Sequence, residues 1–343
     1  MPSSVWSTFA MMILVTGASG LLGSRLVFEL LQSGRKVRGM GRSARVPASL
    51  VQHYFKDNEA LLENMEWFQG DITNRHSVLD AMEDVSQVFH CAGLVSFAPK
   101  DRQLVKSINV QGTSNIVDGC LVKGVSALCH VSSVAALGRS LHGQYDEESV
   151  WNPDDPHSQY AISKYDAERE VWRGIAEGLN AVIVNPGIII GPGNWSSDSS
   201  ALFSKVNDGL RFYTDGINGF VSVDDVSRAM IRLVDQQNFG QRFVLVGENL
   251  PYKEVMDLIA DGLVVKRPNI RAGRFLSGLA WRMESIASSL TGKRPLITRE
   301  TAQSAQSVCY YSNKKVLDVL SDGFTDPRKA IQETAFKFLQ EKS

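Results

Sequence analysis

From Met12 onward, short apolar and β-branched runs alternate with longer stretches in which apolar residues recur at helical spacing. That alternation predicts parallel strands joined by crossover helices, with helices on both faces of one sheet. The strand runs are Ile13 to Thr16, Lys36 to Met40, Met65 to Gln69, Gln87 to Cys91, Ala127 to Ser132 and Ala181 to Asn185. Between the first two, Leu21 to Gln32 predicts a helix whose apolar stripe is Leu22, Leu26, Leu30 and Leu31, with Gly34 placed as its C-terminal glycine cap. A Gly/Pro/Asn/Ser-rich stretch, Pro186 to Ser200, then ends the regular alternation and predicts a loop-rich region. Phe220 to Val223 and Arg242 to Val246 return as strands of the sheet. Tyr252 to Asp261 and Gly273 to Leu290 read as helices of a smaller C-terminal lobe.

Charge and cysteine usage narrow the partners. Lysine and arginine total 36 against 37 acidic residues, so no field of one sign recruits nucleic acid or an anionic membrane. Cys91, Cys120, Cys129 and Cys309 are scattered without metal-ligand spacing, as in reduced core residues of a cytoplasmic protein. Met1 to Ala10 has no basic start and reads as a short extension before Met11 or Met12. No run reaches the roughly 18 apolar residues of a membrane span. A small-molecule partner is the expectation that remains.

Candidate chemistry begins where the first strand meets the first helix, at Gly17-Ala18-Ser19-Gly20-Leu21-Leu22-Gly23. Glycines at this spacing permit a tight turn, bring backbone N–H groups to a pyrophosphate at the helix start and let the helix pack close to the strand. After the second strand, Val37-Arg38-Gly39-Met40-Gly41-Arg42-Ser43 offers no acid for a free ribose 2′-hydroxyl. Arg42 could instead fork onto a 2′-phosphate, which favours NADP(H) over NAD(H); a solvated surface arginine is the alternative.

Tyr160-Ala161-Ile162-Ser163-Lys164 places a phenol and an ammonium four residues apart, on one face of a predicted helix that Ser158 could cap. A cation nearby lowers a phenol from its usual value near 10, which would make Tyr160 a workable general acid or base. Ser132 and Ser133 end the fifth strand just before this helix. A hydroxyl there can orient a substrate oxygen toward Tyr160, and Ser133 is preferred.

Taken together, T-G-x-x-G-x-x-G, Asp71-Ile72, His90-Cys91-Ala92-Gly93, Asn109-Val110-Gln111-Gly112-Thr113, Ser133, Tyr160 with Lys164, and Asn185-Pro186-Gly187 through Gly193 form an ordered set. It resembles the extended short-chain dehydrogenase/reductases, the NAD-dependent epimerase/dehydratase family, from about Ile13 to Val246. In motif it is nearest the dihydroflavonol-reductase and hydroxysteroid-dehydrogenase branch. The resemblance implies an α/β fold, a Rossmann-type doubly wound parallel sheet with a smaller, mostly helical C-terminal substrate lobe. Residues 11–185 plus about 217–247 would form the dinucleotide-binding domain, and about 186–216 plus 248–343 the substrate-binding lobe.

The resemblance also assigns residues. Gly17, Gly20 and Gly23 would hold the pyrophosphate, with Ser19, Leu21 and Leu22 in the same turn. Asp71 and Ile72 would contact adenine, Asp71 could cap the next helix instead or as well, and Ala92, Gly93 and Pro186 would line the cofactor. Ser133, Tyr160 and Lys164 would be catalytic, with Lys164 also bonding the nicotinamide ribose. Asn109 either positions a loop near the site or starts a helix, and the second is preferred. Ser222 stands where relatives often carry histidine.

The implied activity is NAD(P)H-dependent reduction of a ketone or aldehyde of a small, apolar substrate, with Tyr160 as proton donor. A nucleotide-sugar epimerase or dehydratase with retained cofactor is the alternative, and a non-catalytic NAD(P)-binding regulator the second. Relatives commonly dimerise through a four-helix contact, so a homodimer is expected. Phe275, Leu276, Leu279, Trp281, Met283, Ile286 and Leu290 would wall a pocket or fill the lobe's core.

Overall fold

Strands apolar on both faces are stable only between two covered layers, and the chain builds that sandwich. A computed structural model describes residues 12–140, 143–273, 304–320 and 322–342. The extension Met1 to Ala10 and the apolar residues from Phe275 to Leu290 lie outside the described residues. Seven strands form one parallel sheet: β1 (Met12–Thr16), β2 (Lys36–Gly41), β3 (Met65–Gln69), β4 (Val85–His90), β5 (Ala127–Val131), β6 (Ala181–Pro186) and β10 (Gln241–Leu245). Their order is β10-β6-β5-β4-β1-β2-β3, so the winding reverses at β1.

Alternate residues of β1 feed different layers. Ile13 and Val15 pack with α1 (Leu21–Gln32) through Leu22, Leu26 and Leu30 and with α6 (Val223–Asp235) through Val226, Met230 and Leu233. Leu14 turns to the other layer, where α2 (Arg75–Ala81), α3 (Gly112–Lys123) and α4 (Gln159–Ala176) contribute Val78, Ile116, Val117 and Val171. Gly34 ends the α1 turn at φ 78°, the left-handed conformation expected of it.

The strand predicted over Phe220 to Val223 exists, as β9 (Ile217–Ser222), but it does not join the main sheet. It pairs with β7 (Ile188–Ile190) and β11 (Glu248–Pro251) in a sheet of three. Gly187 makes the departure possible: the chain leaves β6 there, and a methyl group on it would lie 2.4 Å from the Gly219 carbonyl oxygen. A further pair, β8 (Phe212–Tyr213) with β12 (Ile270–Arg271), adds to the strands of the C-terminal region. The three-stranded sheet is covered by α5 (Ala201–Asn207), α7 (Tyr252–Gly262) and α8 (Pro327–Lys342), which share a core of Phe203, Phe220, Ile259, Ile331 and Phe338. Among the described residues, no helix is long and apolar enough to cross a membrane.

Candidate active site

Parallel strands deliver their carboxyl ends to one edge of the sheet, and at β1 neighbouring crossovers run to opposite faces, which opens a crevice there. Gly17 turns away from β1 at φ 66°, and a methyl group on it would sit 2.7 Å from the backbone of Ala92 at the end of β4. Gly20 donates its N–H to the Gly17 carbonyl at 2.9 Å. A methyl on Gly23 would lie 2.1 Å from the Gly17 carbonyl oxygen. Gly23 therefore makes room for the turn more than for the strand behind it. No side chain caps the start of α1, so its first N–H groups are left to a ligand. Leu21 packs beneath Gly191 and Gly193, while Ser19 is exposed at the tip of the turn and Leu22 faces the core. This cradle fits the pyrophosphate of a dinucleotide.

The β1 and β4 ends are tied together by a buried polar chain. His90 Nδ1 is 2.7 Å from Thr16 Oγ1, and its Nε2 is 3.0 Å from Thr113 Oγ1, which donates to the Asn109 carbonyl at 2.6 Å. Burial, aided by the charge of Lys164, pushes His90 down to about 3, so the ring is neutral. Asn109 is not a helix start. It lies in a π turn, Ser107–Gln111, and clasps both backbone groups of Leu94, accepting from its N–H at 2.7 Å and donating to its carbonyl at 3.0 Å. The loop from Gly93 to Ala98 is thereby fixed, and it brings the Phe97 ring edge-on to Tyr160 with centroids 5.5 Å apart.

Ser158 caps α4 by accepting from the Ala161 N–H at 3.0 Å, which sets the helix phase for Tyr160 and Lys164. Lys164 is buried, and its Nζ donates to the Val131 carbonyl at 2.9 Å. A methyl on Gly93 would be 3.1 Å from that Nζ, so the lysine lies directly under the end of β4. Desolvation pushes Lys164 down to about 8, opposed by the nearby carboxylate of Glu168. Burial pushes the Tyr160 phenol up to about 12; a hydrogen bond with the Ser133 hydroxyl favours its charged form, and the charge of Asp198 opposes it. The expected lowering of the phenol by its helix neighbour is therefore not what this state displays. The ammonium donates to the Val131 carbonyl, and burial keeps the proton on Tyr160 at neutral pH.

Ser133 also caps a short turn by accepting from the Ala135 N–H at 3.1 Å. Ser132 is buried beside Glu168 without a well-formed hydrogen bond. Asp71 does not cap α2. It accepts from the N–H and hydroxyl of Thr73, each at 2.8 Å, while Asn74 is the cap, accepting from His76 and Ser77. The Ile72 side chain belongs to the core and packs on Gly112. Arg42 is exposed just past β2, and among the described residues its guanidinium has no hydrogen-bond partner. Pro186 ends β6 against Leu245.

Three neighbours of the site escaped the sequence reading: Phe97, Asp198 and Glu168. Glu168 alone left a signal, an acid in the buried stripe of α4 one turn past Lys164.

The family model of the NAD dependent epimerase/dehydratase family matches residues 13–247. The chain belongs to that family. It is similar to the sterol demethylase protein B of Methylococcus capsulatus, 31% identical over 275 residues that cover 79% of this chain and 80% of that protein. A putative dihydroflavonol 4-reductase of Synechocystis is 27% identical over 346 residues, covering 97% and 96%. Among solved structures, gox2253 superposes with a TM-score of 0.79 at 26% identity, covering 96% of this chain and 98% of that one. As a family member the chain is an NAD(P)-dependent enzyme of the oxidoreductase and epimerase type, with the seven-stranded Rossmann-type sheet described above.

Proposed function

We propose that this family member is a carbonyl reductase, taking hydride from NADPH and delivering it to a ketone or aldehyde. The observation that carries the reading is the placement of Tyr160 one helical turn from the buried Lys164, whose Nζ lies at the ends of β4 and β5, with Ser133 following β5. The nicotinamide, when bound on the Gly17–Gly23 cradle, supplies the hydride. Ser133 donates to the substrate carbonyl and aims it at Tyr160, which gives that oxygen its proton. Lys164, held in a dry site, stabilises the charge left on Tyr160 and bonds the ribose. Ala92, Gly93 and Pro186 line the nicotinamide end, and Asp71 with the Ile72 backbone the adenine end.

Phe97 beside the phenol and the acid of Asp198 nearby favour an uncharged, apolar substrate over an anionic one. Relatives named for sterol and dihydroflavonol chemistry are in keeping with a ring-bearing substrate. In this reading residues 11–185 with about 217–247 serve the dinucleotide, and about 186–216 with 248–343 serve the substrate. The protein works in the cytoplasm as a homodimer.

The test is to supply purified protein with NADPH and a panel of ketones and aldehydes and to follow nicotinamide absorbance. Net consumption supports the reductase. Nucleotide-sugar interconversion with tightly retained cofactor and no net consumption makes it an epimerase, and binding without either turnover makes it a regulator.

The preference for NADP(H) rests on Arg42. A charged hydrogen bond is worth about 1.5–3 kcal/mol. Arg42→Ala should therefore weaken NADPH about ten- to a hundredfold by titration calorimetry and leave NADH nearly unchanged. Equal loss for both would defeat the 2′-phosphate assignment.

A further inference from the structure

Glu168 lies on α4 one turn beyond Lys164 and is 1% exposed, among the helix's buried residues Ala161, Ser163, Lys164, Ala167, Val171 and Gly174. A carboxylate placed there gives up its hydration and is tolerated only when paired. Asn185 Nδ2 donates to its Oε1 at 2.5 Å, and Arg242 Nη1 to its Oε2 at 3.4 Å. The same Asn185 nitrogen donates to the Ser133 carbonyl at 3.0 Å. Arg242 in turn donates to the carbonyls of Glu147 and Ser149. One buried carboxyl group thus sits one turn past the lysine and is tied through Asn185 to the backbone of the strand-end serine.

We propose that Glu168 is a positioning residue: its negative charge keeps the Lys164 ammonium protonated in a dry site, and through Asn185 it holds the Ser133 backbone so that the hydroxyl faces Tyr160. The inference about Ser133 rests on the reductase reading. The link to Lys164 is a property of the protein whatever it turns over.

The groups around Lys164 leave this role to Glu168. From its own helix come Tyr160 and Glu168, from the end of β4 His90 and Cys91, from β5 His130, and from β10 Arg242 behind the carboxylate. Both histidines are held neutral by burial, and the Cys91 thiol is pushed up to about 12. Tyr160 keeps its proton. Among these groups, Glu168 carries the carboxyl; burial pushes it above the ordinary carboxylate range, while Ser132, Arg242 and Asn185 favour its charged form. A glutamine keeps the length and one acceptor oxygen but removes the charge and the second acceptor, whereas aspartate keeps the charge and both oxygens, so comparing the two separates electrostatics from reach.

The experiment labels the full-length protein with ¹³Cε-lysine, assigns Lys164 by the resonance missing from Lys164→Met, and follows its titration by NMR. Glu168→Gln should lower the midpoint by at least about one pH unit, a tenfold change in proton affinity. Glu168→Asp retains the charge and should stay near the native midpoint, but it shortens the reach to Asn185 and should lower kcat with KM little changed. In the reductase assay, Glu168→Gln should lose turnover first at the alkaline side, whereas a purely structural defect would scale the whole pH profile by one factor.

A native midpoint in a Glu168→Gln protein that still binds NADPH would overturn the proposal. If that variant does not fold, Glu168→Asp decides: a native-like midpoint with lowered kcat supports the role, and a midpoint that falls by a unit overturns it. A shifted midpoint in a protein that reduces no carbonyl would sink the reductase reading and leave the charge linkage standing.

Discussion

Tyr160→Phe should lower carbonyl turnover about a thousandfold while NADPH binding changes by no more than a few-fold. A positioned proton donor contributes about 10²–10⁴ to rate. Phenylalanine keeps the ring packed edge-on against Phe97 and removes only the hydroxyl that meets Ser133. Stopped-flow single turnover, with binding measured separately by fluorescence, separates the two effects. A variant that retains a tenth of native turnover would take Tyr160 out of the proton-donor role.

The pH profile has a defined sign. With the phenol held up to about 12, reduction should not fall as pH drops through neutrality on account of Tyr160. It should decline as pH rises through about 8, where Lys164 loses the proton that steadies the phenolate. The native protein measured between about pH 6 and about pH 10 would reveal that single alkaline limb. An acid limb at neutral pH would contradict the assignment of these protonation states.

The second large effect is expected at the cradle. Gly23→Ala puts a methyl group 2.1 Å from the Gly17 carbonyl oxygen, closer than any side chain is tolerated, so α1 must lift or the turn must open. Overpacking of this kind costs about 1–3 kcal/mol and at times more. Thermal unfolding should shift down by several degrees, and NADPH affinity should fall at least about a hundredfold, since about 2.8 kcal/mol of lost cradle contacts suffices. Gly34→Ala is the control. It also alters a glycine of α1's surroundings, at φ 78° with open space around it, and should cost about 1–2 kcal/mol in backbone strain with no loss of affinity. Equal loss of affinity in both variants would show that α1 responds to general destabilisation and not to the crowded turn.

Much of the architecture was legible because a buried parallel strand must be apolar on both faces. Met65–Gln69 is bounded in the sequence as it is in the fold, and so is α1, whose leucine stripe and trailing glycine define both ends. The error over β9 has an equally physical origin. Phe220, Val221 and Val223 would suit either sheet, and only the close passage of Gly187 against Gly219 sends the strand to the smaller one. The site followed the same rule. Glycine spacing and the pair of Tyr160 and Lys164 are local patterns, so the sequence displays them. Asn109 gripping Leu94, Phe97 edge-on to Tyr160 and Asn185 joining Glu168 to Ser133 are contacts between separate segments, and no local pattern encodes them.

The central place of β1 bears on how the molecule is made. Its partner on one side, β2, is translated next, but its partner on the other, β4, ends only at His90. During synthesis β1 therefore waits with one bare hydrogen-bonding edge while β2 and β3 assemble beside it. The whole stretch from Met12 to His90 must leave the ribosome before that edge is covered. In that interval the nascent chain is most open to pairing with a neighbour.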